Sequence, residues 1–284
     1  MAHLIAAIDG SAYSESVCDH AAWAARRLSY PVTVMHVLGR RDVASAPADL
    51  SGSIGLGARS ELLEELAELD AQKSRLALKR GRAILDDAKA RLEAAGVTTV
   101  DARLRHGELV ETLSALEADA ELLVIGKRGE AADFTRDHLG SNLERVVRST
   151  ARIVLVASRS CQPIARVLIA FDGGPSALKA VNHLATSPLF AGLHCHLLTV
   201  GTASESDRRD LEGAAALLRE QGLSASHDLV PGQPEQVIGE TAERDQFDLL
   251  VMGAYGHSRI RNLIIGSTTS EMLRKSRIPV LLFR

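Results

Sequence analysis

Short apolar runs and longer amphipathic stretches alternate along the whole chain. Runs rich in Val, Ile and Leu predict strands near 3–8, 31–37, 98–105, 121–125 and 152–156, and again near 166–171, 193–200, 225–230, 248–252 and 278–283. Stretches with apolar residues every three or four positions separate them and predict helices. This alternation implies right-handed βαβ crossovers and parallel sheets covered by helices on both faces. The predicted class is α/β, with two doubly wound parallel five-stranded sheets.

The series repeats because the sequence does. HLIAAIDGS from His3 aligns without a gap on RVLIAFDGG from Arg166, so that Asp9 falls on Asp172, Gly10 on Gly173 and Val37 on Val200. ELLVIGKRGE around Gly126 aligns with DLLVMGAYGH around Gly253, and LGSNLERVVRSTARIVLV with IGSTTSEMLRKSRIPVLL. The offset falls between these blocks, so the first copy carries about 36 extra residues in its middle. Within that insertion VASAPADLSGSIGLGARS predicts a flexible loop, and ELLEELAELDAQKSRLALKRGRAILDDAKARLEAAG predicts a long charged helix. Its charges are expected to form a solvated face with i,i+4 pairing, not a binding surface. SRSCQPIA, near 158–165, is the seam between copies.

Composition narrows the class without changing it. Aromatic residues make up only 3%, so the core must be built from Val, Leu, Ile and Ala, as buried parallel strands allow. A net charge of −3 gives no electrostatic reason for nucleic acid or a membrane as partner. Cys18, Cys161 and Cys195 are scattered, form no zinc pattern and fit a reducing compartment. With no signal-like start and no apolar run near membrane length, a cytoplasmic protein is expected.

The candidate chemistry sits where ligands bind in open α/β sheets, beyond the carboxyl ends of strands where strand order reverses. Asp9-Gly10-Ser11 and Asp172-Gly173-Gly174 follow the first strand of each copy. After the fourth strand of the second copy comes Gly253-Ala-Tyr-Gly256, then nine residues, then Gly266-Ser267-Thr268. Glycines let backbone amides approach an anion, and a helix starting at Ser267 would aim free N–H groups and its positive dipole end at phosphate. Thr268-Thr-Ser-Glu271 has capping-box spacing, and His257, Arg259 and Arg261 lie in the intervening stretch. The first copy has Gly126-Lys-Arg-Gly129 and Gly140-Ser141-Asn142, with one more intervening residue and with Asp133 and Asp137 in the loop.

The pattern G-x2-G-x9-G-[ST], with an early strand-end Asp, resembles the ATP-binding branch of the universal stress protein family. The resemblance covers the chain twice and marks it as a tandem type, with domains at 1–158 and 165–284. It implies the adenine nucleotide alpha hydrolase-like fold and ATP as ligand, with Mg2+ bridging phosphates. By resemblance Asp172 would contact the adenosine, and the backbone of Val200 would read the adenine edge. Met252 and Gly253 would lie against ribose and phosphates, while Gly256, Gly266, Ser267 and Thr268 would wrap the phosphate chain. The corresponding first-copy set is Asp9, Val37, Gly126, Gly129, Gly140 and Ser141, where the altered loop leaves nucleotide binding open. Terminal strands pair across a twofold in that family. The two copies are therefore expected to form a dimer-like unit, and a homo-oligomer is expected through the strands Arg152–Val156 and Ile278–Phe283.

Plainer readings compete. Asp9 and Asp172 could each cap the helix that follows. Strand alternation puts His194 and His196 on one face and Cys195 on the other, so they cannot converge on a metal. Gly52, Gly55 and Gly57 follow no strand and read as loop. No P-loop, nucleophile elbow or metalloprotease motif is present. The leading expectation is an ATP-binding stress-response or regulatory protein whose occupancy sets conformation or the choice of a regulatory protein partner. The alternatives are an interaction protein with a vestigial site, or an adenine-nucleotide hydrolase; no catalytic residue is assigned.

Overall fold

A computed structural model describes residues 2–39, 56–129, 141–202, 204–254 and 266–284, with side chains omitted for 56–61 and 141. The first half contributes strands β1 (His3–Ile8), β2 (Val32–Leu38), β3 (Val100–His106), β4 (Ala120–Gly126) and β5 (Ile153–Ala157). The second contributes β6 (Arg166–Ala170), β7 (His194–Val200), β8 (Ser224–Val230), β9 (Leu249–Gly253) and β10 (Val280–Phe283). Helices α1 (Ser14–Leu28), α2 (Leu56–Ala94), α3 (Leu109–Leu116) and α4 (Ser141–Ser149) belong to the first half. Helices α5 (Pro175–Thr186), α6 (Glu205–Glu220), α7 (Pro234–Arg244) and α8 (Ser267–Lys275) belong to the second.

Each half is a parallel five-stranded sheet, but the two merge into one ten-stranded sheet of order β3-β2-β1-β4-β5-β10-β9-β6-β7-β8. Alternation along each strand divides the core in two. Leu4, Ala6 and Ile8 face the layer of α1, α2, α5 and α6, whereas Ile5 and Ala7 face the layer of α3, α4, α7 and α8. The same alternation buries Cys195 while His194 and His196 bond Ser224 and Ser226 of β8, each at 2.8 Å, as expected. Among the described residues no cluster of His, Cys, Asp and Glu could hold a metal ion, and no helix is long and apolar enough to cross a membrane.

The junction is an antiparallel pairing of β5 with β10, Leu155 opposite Leu281. The dimer-like unit expected of the two copies is therefore present within the chain. Association of separate chains through these strands is not supported, because β5 is flanked by β4 and β10, and β10 by β5 and β9. Cations reinforce the junction: Arg284 Nη1 donates to the carbonyls of Arg148 (2.9 Å) and Thr150 (3.1 Å) at the end of α4, and Lys127 Nζ to that of Ser276 (2.7 Å) at the end of α8. Each half thus sends a positive charge to the negative helix end of the other. Arg27 adds bonds to the carbonyls of Leu189, at 2.6 Å, and of Ala191.

Helix α2 fills the insertion and begins at Leu56, several residues before the predicted start. Gly57, expected in a loop, lies in its first turn, since Ala58, Arg59 and the acidic residues after them favour helix; Gly52 and Gly55 lie outside the described residues. Its buried residues, Gly81, Leu85, Ala88 and Leu92, all fall in the carboxyl-terminal part. A Cβ at Gly81 would stand 2.8 Å from Leu104 Cδ1 and 3.0 Å from His36 Cδ2, so there the helix lies directly on β2 and β3. Toward its start, nothing between 62 and 80 is fully buried, and the helix runs past the carboxyl ends of the strands.

Candidate functional site

Strand order reverses between β1 and β4, and between β6 and β9. Because β5 and β10 are antiparallel, the carboxyl ends of the two parallel sets point in opposite directions, and the two switch points open on opposite edges of the sheet.

At the second-half switch two helix starts converge. Helix α5 begins after Gly174 with Pro175 in its first turn, and α8 begins after Gly266; neither has a side-chain cap. Gly253 ends β9 between them, and a Cβ on it would come within 2.9 Å of Ser176 Cβ. Its role is close approach: the strand end lies against the first turn of α5. Thr269 Oγ1 donates to the Gly253 carbonyl at 3.1 Å, tying the first turn of α8 to the same point. The amide of Ala254 is engaged by the Phe283 carbonyl at 2.7 Å. Two positive dipole ends thus share one strand edge, an arrangement suited to an anion.

The predicted second-half residues distribute around this edge as follows. Asp172 follows β6, and its Oδ1 accepts the Gly174 amide at 2.9 Å. This braces the turn two residues on and does not cap α5, whose cap position is Gly174. Val200 ends β7, half-buried, opposite Val230. Met252 is buried in the core under the site, so toward a ligand it offers backbone only. Gly266 occupies the cap position of α8, with Ser267 and Thr268 as its first two residues. The expected capping box at Thr268–Glu271 is not formed; Glu271 instead pairs with Lys275 at 2.7 Å and with Arg274, basic residues one turn further on. Gly256, Tyr255, His257, Arg259 and Arg261 lie outside the described residues.

The first-half switch has the same frame but is occupied by the chain itself. Asp9 Oδ1 accepts the Ser11 amide at 3.0 Å, and Ser14 Oγ accepts that of Gly10 at 2.9 Å. Here too the aspartate braces a turn, and the cap position of α1 is Tyr13. Gly126 repeats the close approach of Gly253, a Cβ there falling 2.8 Å from Tyr13 Cβ. Gly129 lies over the Asp9 carboxylate, its Cβ position 2.7 Å from Oδ2. Lys127, a candidate counter-charge for phosphate, is committed to Ser276, and burial lowers its pKa to about 8. Ile84 of α2 packs over Gly10. Val37 is half-buried near the end of β2, and Asn142 is exposed in α4. Ser141 opens α4, whereas Gly140, Asp133 and Asp137 lie outside the described residues.

Sequence reasoning missed Ser176, Thr269, the commitment of Lys127 to the Ser276 carbonyl and the descent of α2 on Gly10. Tyr13 and Ser176 hold corresponding positions in the two copies, so the alignment contained that one signal. The others are contacts between distant segments.

Comparison with known proteins matches the chain to the model of the universal stress protein family over residues 1–158 and 163–284. A universal stress protein of Synechocystis is 39% identical over 287 residues, with both chains covered completely. One from Mycobacterium tuberculosis is 25% identical, covering 99% of this chain and 96% of its own. Among solved structures, a universal stress protein of Archaeoglobus fulgidus superposes with a TM-score of 0.74 at 19% identity, covering 100% of this chain and 96% of its own, which fixes the fold.

Proposed function

The chain belongs to the universal stress protein family, and from that premise we propose that it is an ATP-binding regulatory protein of the stress response with one competent site, in the second half, 165–284. The observation carrying this reading is the convergence of two uncapped helix starts, at Gly174 and Gly266, on the strand end at Gly253. A triphosphate brings the negative charge such an edge favours. The roles assigned are Asp172 at the nucleoside, the Val200 backbone at the adenine, the backbone of Met252 and Gly253 beneath ribose and phosphate, and Gly266, Ser267 and Thr268 on the phosphates, with Gly256 closing the loop. Mg2+ suits this chemistry as an ion held mainly by phosphate oxygens and water. Asp172 places a carboxylate at this edge, and among the described residues no group of His, Cys, Asp and Glu could hold a metal ion by itself.

The asymmetry of the halves supports a single site. In 1–158 the insertion helix, Gly129 and Lys127 all use the switch point for the chain's own contacts. The set Asp9, Val37, Gly126, Gly129, Gly140 and Ser141 is accordingly proposed as a remnant site. We assign no base for attack on phosphate; in this reading the protein acts by being occupied or empty, and a regulatory protein reads that state.

Calorimetric titration with ATP and Mg2+ tests this. One nucleotide per chain is expected. Ser267→Glu should keep α8 folded, since an acid suits a helix start, yet repel phosphate and weaken binding at least ~10-fold. Unchanged affinity in that variant would sink the cradle, and two equivalent sites per chain would sink the asymmetry.

A further inference from the structure

We propose that the amino-terminal part of α2 is a self-association surface that pairs antiparallel with α2 of a second copy. The terminal strands offer no free edge for such a contact, so a homo-oligomer needs another surface, and α2 supplies one. The helix has 39 residues, about 58 Å at 1.5 Å per residue. Its described stretch from 62 to 80 runs past the sheet with no fully buried residue. Along it Leu62, Leu66, Leu69 and Leu76 follow a heptad spacing of four and three, with Lys73 at the remaining position between them; Arg80, next in the series, turns back toward Gly10. Leu69 is 44% and Leu76 67% exposed, large apolar side chains, whereas Leu62 and Leu66 are half-buried.

Charge selects the partner and its direction. Glu61, Glu64, Glu65, Glu68 and Asp70 precede Ala71, with no basic residue from 60 to 72. Lys73, Arg75, Lys79, Arg80 and Arg82 follow, with no acidic residue from 71 to 85. Within 62–80 the charged i,i+4 neighbours are alike in sign, Glu64 with Glu68 and Arg75 with Lys79, while Asp70 and Lys73, three apart, are opposite. Like-charge pairs destabilise a lone helix. The i,i+4 ion pairing expected from the sequence occurs at Lys89–Glu93, in the part packed on the sheet. A parallel partner would set acid on acid, whereas an antiparallel copy sets each acidic half against a basic half. That arrangement also puts Leu66 of one copy opposite Leu76 of the other, and Glu65 beside Lys79, about a twofold near Ala71 and Gln72. A helix whose charge reverses about its own centre complements itself, which points to a second copy of this chain. Lys73 in the seam fixes the register at some cost in affinity.

Sedimentation velocity of the full-length protein, across concentration and at low and high salt, tests this. A concentration-dependent dimer is expected, weakened by salt as its ion pairs are screened. Lys79→Glu should raise the dissociation constant at least ~10-fold, and Glu65→Lys combined with Lys79→Glu should restore dimerisation, because the charges then swap together. The exposed positions leave the fold intact, and rescue by the double variant excludes misfolding as the cause. Direction is read by a short thiol crosslinker: Gln72→Cys should link two chains, while Glu65→Cys, well away from its equivalent in an antiparallel pair, should not. A monomer at every concentration, a dimer indifferent to the charge variants, or equal crosslinking at both positions would overturn the proposal.

Discussion

Two equivalent glycines provide an internally controlled measurement of the contact between α2 and the first-half switch. Gly10 and Gly173 both adopt left-handed backbone, with φ of 78° and 69°. Replacing either by Ala therefore carries the same backbone penalty, about 1–2 kcal/mol. Their surroundings differ. A Cβ at Gly173 meets nothing within 4 Å, whereas one at Gly10 falls 2.6 Å from Ile84 Cδ1 and 3.2 Å from Ile84 Cγ1. The first distance is inside any real carbon–carbon contact, so the Ile84 side chain must give way, by a change of rotamer or with a shift of α2, adding about 1–3 kcal/mol of overpacking. Gly10→Ala should then cost about 2–5 kcal/mol in all, from those two contributions, against about 1–2 kcal/mol for Gly173→Ala. Ile84→Val removes the Cδ1 methyl and costs about 0.5–1.5 kcal/mol alone. In the Gly10→Ala background it should cost less than that or restore stability, a coupling on the order of 1 kcal/mol. Urea unfolding followed by circular dichroism, comparing midpoints at constant slope, gives these differences. Equal costs for the two glycine variants, or additivity of Gly10→Ala with Ile84→Val, would refute the packing of α2 over the first-half switch.

Two further predictions concern the junction. Lys127 has its pKa lowered to about 8, chiefly by burial and then by the charge of Arg128. Between about pH 8 and its unfolded value near 10.4, the unfolded chain binds the extra proton, so stability attributable to Lys127 rises with pH across that window. Lys127→Met should abolish the rise, moving the stability difference toward the wild type by on the order of 1 kcal/mol between pH 7 and 9.5 once solvent screening is allowed for; a difference independent of pH would count against the buried ammonium. Phe283 in β10 has no exposed surface and lies 5.4 Å from the His183 ring, so Phe283→Ala should cost about 3–5 kcal/mol. The loss should appear in unfolding of both halves together, and a destabilisation confined to the second half would show that the sheet is not one cooperative body.

Most of the framework was legible because it is carried by local pattern. Predicted strand bounds agree with the observed ones to within about two residues, since a period of two and turns at Gly and Asp are written into each segment. The faces of His194, Cys195 and His196 followed from the same period. Helix starts were less legible. At α8 the cap position went to Gly266, and Glu271 turned to Lys275 and Arg274, a competition that capping-box spacing alone does not weigh. The strand-end aspartates braced turns two residues on, an outcome a sequence cannot tell from capping. The occupied first-half site was the least legible part. Lys127 meets a carbonyl 149 positions away, and Ile84 reaches Gly10 from an insertion that reads as a charged surface helix. Such contacts depend on how the elements pack and leave no periodic trace.

The pairing of β5 with β10 also bears on what the connector between the halves is for. Residues 159–163 run largely along the surface, while the sheet, the side chains of Lys127, Arg284 and Arg27, and both core layers cross the junction without passing through them. The covalent tie therefore sets the stoichiometry of the two halves, while these contacts hold them together. A duplication of this kind gains a guaranteed partner for every terminal strand. Freed from having to match an identical neighbour, each half can then change alone, and here one kept an open switch point while the other gave its own to a helix.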